Sequence, residues 1–301
     1  MSICPMHPKI PILKKRIKAS YKLFSHCQLC PRNCGVNRIK NELGFCGEGG
    51  LPNVASDNLH YGEEPPISGV QGSGTIFFAG CTMRCVYCQN YPISHMGHGH
   101  PVSIPKLADI MIQLQNRGAH NINLVTPTHF IPQIILALYI AYRNGLNIPI
   151  VYNTSGYESV KALKLLDGIV DIYMPDMKYA NEGIAIALSN APNYPKINQE
   201  AVLEMFRQVG HLKFNKNGTA VKGLLIRHLI LPEWASGTKF ILEWIANHID
   251  TETHISLMRQ YFPAYKALKI KALNKRITDD MYTTAKQYMI KLGFKNGWLQ
   301  D

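Results

Sequence analysis

Three cysteines crowd one short loop: Gly80-Cys81-Thr82-Met83-Arg84-Cys85-Val86-Tyr87-Cys88 sets its thiols at C-x3-C-x2-C. Three thiolates on a tight loop fit three corners of an iron–sulfur cubane, because the loop can wrap the cluster and turn backbone N–H groups toward its sulfides. A cluster that only carries electrons takes four cysteines. Three leave one iron with an exchangeable position, which is what binding a substrate at the metal requires. The alternatives are a zinc site completed by a distant histidine and thiols that are simply buried. The run Thr75-Ile76-Phe77-Phe78 just ahead reads as a strand, so a strand end presents the loop.

A second group, Cys27, Cys30, Cys34 and Cys46, has the spacing C-x2-C-x3-C-x11-C. Four thiolates satisfy a closed tetrahedral zinc or a fully ligated iron–sulfur cluster, and spacing does not choose between them. Zinc would staple a small module, whereas an auxiliary cluster would relay electrons or hold substrate. Cys4 has no partner at a ligand spacing and is expected to be an unliganded thiol. His95, His98 and His100 alternate with Gly97 and Gly99 in what reads as an exposed loop. All eight cysteines lie between Cys4 and Cys88 of a 301-residue chain. Grouped thiols in a chain of this length point to metal ligation in a reducing compartment rather than to a disulfide framework.

The elements that must position these groups read as βα units. Strands are expected at Thr75–Phe78, Ile122–Val125, Ile148–Asn153, Ile169–Met174, Leu224–Leu231 and Ile255–Tyr261, with helices between them. A helix opens at Ser103 and Pro105, presents Leu107, Ile110, Met111 and Leu114, and stops at Gly118. Others are expected from about Pro132 to Gly145, from about Gln199 to Val209 and from about Asp279 to Leu292. Six βα repeats are too few for a closed eight-stranded barrel. The expected fold is α/β, an open partial (βα)6 barrel over residues 71–265, with its site at the carboxyl ends of the strands. Residues 1–70 lack the alternation and form a small cysteine-rich module; residues 266–301 form a helical extension.

No apolar run reaches the roughly 18 residues of a membrane helix, and no signal-like segment follows Met1, so a soluble cytoplasmic protein without membrane contact is expected. The formal net charge of +12 is dispersed apart from Lys14, Lys15, Arg16 and Lys18 and the Lys266–Arg276 stretch. Both sets fit solvated helix faces, so nucleic acid is not an expected partner.

The triad, with the aromatic Tyr87 just before its third cysteine, resembles the radical S-adenosylmethionine (SAM) superfamily. Gly72 to Asn90, Gly118 to His129 and Tyr152 to Tyr157 are similar to the group named for its likeness to pyruvate formate-lyase activating enzymes. Asp176-Met177-Lys178 resembles the D-x-K segment of glycyl-radical activases, and Ile226 to Pro232 their fifth strand. The resemblance runs nearly end to end. It implies a [4Fe–4S] cluster on Cys81, Cys85 and Cys88 in a partial barrel of radical SAM type. SAM would chelate the open iron through its amino and carboxylate groups, and reductive cleavage would yield a 5′-deoxyadenosyl radical that abstracts hydrogen.

Carried onto this chain, the resemblance places Tyr87 at the adenine and Asp176 and Lys178 at the methionyl or ribose part, with Arg227 facing the site. Asn153 and Ser155, at a strand end, suit the ribose. Where relatives carry a Gly-Gly-Glu-Pro-like segment, this chain has Thr126-Pro127-Thr128-His129, whose Thr126 and Thr128 oxygens or His129 would have to replace the carboxylate. A low-potential flavodoxin or ferredoxin would donate electrons, and the activase likeness implies a protein substrate that receives a glycyl radical. Modification of a small molecule or RNA is the rival enzyme reading, and a non-catalytic iron–sulfur electron carrier the rival class.

Overall fold

The computed structural model describes residues 7–299, so Cys4 lies outside the described residues. In chain order the elements are α1 (Lys9–Ser25), β1 (Asn53–His60), α2 (Pro65–Ser68), β2 (Ser73–Phe78), α3 (Tyr91–Ser94), β3 (His100–Pro101) and α4 (Ile104–Asn116). They continue with β4 (Ile122–Val125), α5 (Ile131–Arg143), β5 (Ile150–Thr154), α6 (Val160–Leu163), β6 (Ile172–Pro175), α7 (Glu182–Ser189) and α8 (Tyr194–Val209). The last are β7 (Lys213–Phe214), β8 (Ala220–Leu229), α9 (Thr238–His248), β9 (His254–Met258), α10 (Asp279–Lys291) and β10 (Gly297–Leu299).

The chain forms an α/β fold on a mostly parallel sheet, in the order β10-β9-β8-β6-β5-β4-β2-β1-β3, with β7 pairing to β8. From β2 to β10 each strand along this path runs parallel to its neighbour. β1 closes the β2 edge antiparallel and β3 continues beyond it. Sequence and packing agree in the middle, where β5 and β6 are buried at every position, as strands covered on both faces must be. All six expected strands are present. The sheet also extends past the expected 71–265 span on both sides, through β1 and β10, because edge strands left unpaired expose rows of backbone donors and acceptors.

Nine strands lying flat would hold the outer edges roughly 38 Å apart at about 4.8 Å per strand. Trp298 of β10 and His60 of β1 nevertheless line one cavity, so the sheet curls on itself.

Helices cover its outer face. Ser103 caps α4 by accepting the Lys106 N–H at 3.3 Å, and Leu107, Ala108, Ile110, Met111 and Leu114 are buried. The N-terminal α1 buries Ile10, Leu13, Leu23 and Phe24, while Lys14, Lys15 and Lys18 on its other side are exposed. Its Lys9 Nζ reaches Asp171 at 2.5 Å, a carboxylate that also accepts the Ile150 N–H. No helix among the described residues is long and apolar enough to cross a membrane.

Candidate functional site

β2 delivers the chain through Ala79 and Gly80 into the cysteine loop. Gly80 has φ +74°, and a Cβ there would come within 2.5 Å of Glu48 Cγ and 2.7 Å of the Cys46 carbonyl. Only glycine allows that approach, and it sets the first cysteine group directly against the second. Cys81, Cys85 and Cys88 then line one cavity with Phe77, Met83, Asn90, Thr126, Asn153, Ser155, Asp176, Lys178 and Arg227.

Each of the three sulfurs receives hydrogen-bond donors. The Met83 N–H approaches Cys81 Sγ at 3.3 Å, and the Arg84 N–H also points there. Ser189 donates to Cys85 Sγ at 2.9 Å, and Ser94 Oγ lies 3.1 Å from Cys88 Sγ. Donors on a sulfur favour the thiolate, the form that ligates metal. Burial, with Cys85 close by, pushes the Cys81 thiol up to about 12. Cys81 on its own is therefore a neutral thiol, and metal binding there has to displace its proton.

Among the described residues no His, Cys, Asp and Glu side chains form a group that could hold a metal ion as they stand. The donor set and the hollow beside it fit a cluster.

Across the cavity lies an ionic network. Asp176 accepts Arg227 Nε at 2.9 Å and Lys178 Nζ at 2.6 Å. Arg227 continues to Asn153 Oδ1 at 2.7 Å and approaches Glu63 at 3.6 Å. Glu63 in turn accepts Asn123 Nδ2 at 3.0 Å. Burial alone would raise the Asp176 carboxyl, but Arg227 and Lys178 outweigh it and hold it below the usual range. For Lys178, burial is likewise outweighed by Asp176, which keeps the ammonium charged. Thr126, in the left-handed region at φ +57°, faces the same space. A β-branched residue there is strained, a feature that clusters at ligand sites.

Tyr87 is buried beside this cavity, edge-on to Tyr179 and Tyr261. Its hydroxyl is 2.7 Å from that of Tyr179, which lies 2.5 Å from the Ser189 hydroxyl. Through Ser189 the chain of hydroxyls ends on Cys85.

Two expected contacts turn away. Thr128 donates to Glu158 at 2.5 Å, and His129 is buried with Nε2 bonded to the Ala79 carbonyl at 2.7 Å. A short 3₁₀ turn over Thr128–Phe130 rotates both behind the strand end. Burial, with the nearby Arg38 cation, lowers the His129 imidazole to about 3. His129 is thus a neutral support beneath the cysteine loop rather than part of the cavity wall.

In the N-terminal group Cys27, Cys30 and Cys46 are buried and Cys34 is half-buried. Cys30 lies close enough to feel the other three thiols and accepts the Arg32 N–H. Cys46 accepts the Glu48 N–H, and Cys34 Sγ the Phe45 N–H at 3.4 Å. His98 and His100 are exposed, whereas His95 bonds to Ser94 Oγ at 2.8 Å and so reaches the Cys88 sulfur at second hand. Arg32, Glu63, Ser94 and Ser189 carry no local sequence signal. They reach the site through contacts that only the fold makes.

A family model for the radical SAM superfamily matches residues 75–233. That is more than half of the chain, which belongs to this superfamily, and membership implies a [4Fe–4S] cluster and SAM. Over 279 residues it is 31% identical to the uncharacterized protein MJ0674 of Methanocaldococcus jannaschii, covering 89% of this chain and 75% of that one. A second protein of that organism, uncharacterized protein MJ0808, is 26% identical over 267 residues, or 80% of this chain and 71% of its own. Among solved structures, methylornithine synthase (PylB) is similar at a TM-score of 0.44 and 12% identity, over 70% of this chain and 59% of that chain.

Proposed function

We propose that Cys81, Cys85 and Cys88 hold the [4Fe–4S] cluster at the mouth of a partial barrel, and that SAM occupies the adjoining cavity. The observation that carries this is the three donor-bonded sulfurs facing the Asp176–Arg227–Lys178 network across one hollow. Once bound and reduced, this pair of cofactors supplies one electron to the sulfonium bond and a 5′-deoxyadenosyl radical for hydrogen abstraction.

The chain's own residues bind and orient. Thr126, Asn153 and Ser155 offer oxygens to the amine and ribose, Lys178 offers a cation to the carboxylate, and Tyr87 walls the adenine. His129 positions the loop through Ala79, and Thr128 acts only through Glu158. Cys27, Cys30, Cys34 and Cys46 hold a second metal centre, iron–sulfur or zinc. A flavodoxin- or ferredoxin-type protein donates the electron.

The test is anaerobic reconstitution with iron and sulfide. Adding SAM should change the electron paramagnetic resonance spectrum of the reduced cluster, and dithionite should then drive formation of 5′-deoxyadenosine. A well-loaded cluster whose spectrum ignores SAM would overturn the reading. Metal analysis separates the second centre: about eight irons per chain for two cubanes, or about four with one zinc. Installing a glycyl radical on a partner protein is the finer reading that the activase likeness supports. Radical detection in a candidate partner tests it.

A further inference from the structure

Helix α7 ends against the triad loop. Its Leu188 carbonyl accepts the Val86 N–H at 2.8 Å, and its last residue, Ser189, donates to Cys85 Sγ at 2.9 Å. The other two sulfurs are served by near neighbours in sequence, Met83 for Cys81 and Ser94 for Cys88. Cys85 instead takes its donor from an element 104 residues further along the chain. Asn190, in the left-handed region at φ +46°, stops the helix there and donates its N–H to the Ile186 carbonyl.

Ser189 is 1% exposed, and Tyr179, whose hydroxyl lies 2.5 Å from it, is 2% exposed. A hydroxyl carries a single proton. With the Ser189 proton on sulfur, the proton in the Ser189–Tyr179 contact is Tyr179's. That orders the chain toward Cys85, with Tyr87 at its far end, 2.7 Å beyond Tyr179. Burial gives solvent little access as a substitute donor.

The chain is more than α7 needs for anchorage. The Val86–Leu188 bond already pins the helix to the loop, and Arg32 Nη2 lies 3.5 Å from the Ser189 carbonyl. A cluster gains one negative charge on reduction, and part of it resides on the ligand sulfurs. A donor on sulfur therefore stabilises the reduced form more than the oxidised one. Hydroxyls in series polarise one another in a dry setting, which strengthens the last bond. Resting on the radical SAM reading, we propose that Ser189, backed by Tyr179, raises the reduction potential of the cluster on Cys81, Cys85 and Cys88. Both are positioning residues, because they act through Cys85. The consequence is a cluster that a milder electron donor can reduce.

The test is a potentiometric titration of the anaerobically reconstituted holoprotein, followed by the paramagnetic resonance signal that SAM alters. Ser189→Ala should shift the reduction equilibrium roughly tenfold toward the oxidised cluster, about 59 mV more negative for one electron. Tyr179→Phe leaves the serine in place and should shift it the same way by roughly threefold, about 28 mV. Iron content and the absorbance of the oxidised cluster should stay those of wild type in both. A Ser189→Ala potential within about twofold of wild type, about 18 mV, or above it, would overturn the proposal. So would a Tyr179→Phe shift larger than that of Ser189→Ala. If Ser189→Ala fails to hold its cluster, Tyr179→Phe decides alone, an unmoved potential overturning the proposal; loss of iron from both variants would make the hydroxyls structural supports and overturn it too. A wild-type signal that ignores SAM removes the parent reading, whereas a SAM-responsive signal with unmoved potentials removes this inference alone.

Discussion

Asp176→Asn should expose how much the ionic network supports the fold. The carboxylate is 12% exposed and stands between Arg227, 17% exposed, and Lys178, 16% exposed. Removing one partner of a buried pair leaves the other charge uncompensated, at about 3–5 kcal/mol. Asparagine keeps one acceptor for Arg227 Nε, and Arg227 retains Asn153 and Glu63, so the lower end, about 3 kcal/mol, is expected. In a chain of this size that corresponds to a fall in Tm of about 5–10 °C. The assay is thermal unfolding by circular dichroism of Asp176→Asn, Arg227→Met and the double variant. The double variant should be less damaged than the sum of the singles, by about 1–3 kcal/mol, because Arg227 can no longer be stranded, although Lys178 and Glu63 each still lose a partner. A shift under about 2 °C, or additivity within about 0.5 kcal/mol, would refute the account of a coupled buried network.

Glu158, raised from 4.5 to about 7 by burial despite bonds from Thr128, Thr154 and Tyr152, keeps its proton in the folded state where the unfolded chain has lost it. Its contribution is therefore complete below about pH 4.5 and disappears as pH rises through about 7, a loss of about 3 kcal/mol; urea midpoints across this range should fall in wild type more than in Glu158→Gln. His129→Leu keeps the volume but removes the bond to the Ala79 carbonyl, and should cost about 1–3 kcal/mol in denaturant unfolding and loosen iron retention by the loop. Arg38→Met should lower the unfolding free energy by about 3 kcal/mol or more in urea titration, because the buried Arg38 donates twice to the Gly49 carbonyl and once to that of His129. Cys85→Ala should abolish the spectrum of the triad's cluster, whereas Cys30→Ala should lower metal content yet leave a SAM-responsive signal, as paramagnetic resonance of the two reconstituted variants will show.

The parallel strands were legible because β-branched, apolar runs between glycines and prolines leave few alternatives, as in Ile150 to Thr154. β1 was not: Asn53-Val54-Ala55-Ser56-Asp57-Asn58-Leu59-His60 has little apolar alternation, and it becomes a strand by pairing with β2. Likewise α1 hides its buried stripe among lysines. At the site, local spacing identified the cysteine triad, and the family resemblance pointed to Asn153, Asp176, Lys178 and Arg227, which the fold brings to one wall. It failed for His129, since adjacency in sequence to Thr126 says nothing of the 3₁₀ turn that points the imidazole backward. Glu63 was silent because what marks it is a tertiary fact: an asparagine and an arginine from two separate strands meet its carboxylate.

The first seventy residues do more than append a cysteine-rich segment. Arg32, between Cys30 and Cys34, donates to the Thr82 carbonyl inside the triad loop at 2.9 Å, with its guanidinium stacked 3.8 Å above Phe45. Arg38 holds the His129 carbonyl at 2.8 Å, and His129 holds Ala79, two residues ahead of Cys81. Gly80 is pressed against Cys46 and Glu48 too closely for any side chain. These three ties converge on a loop of a few residues whose thiols must keep their spacing to within a fraction of an ångström. Rigid support is needed where a tight loop carries ligands, and the residues around the N-terminal cysteines supply it through these ties. Loss of those ties would therefore be felt as altered geometry at the triad before it was felt as loss of the sheet.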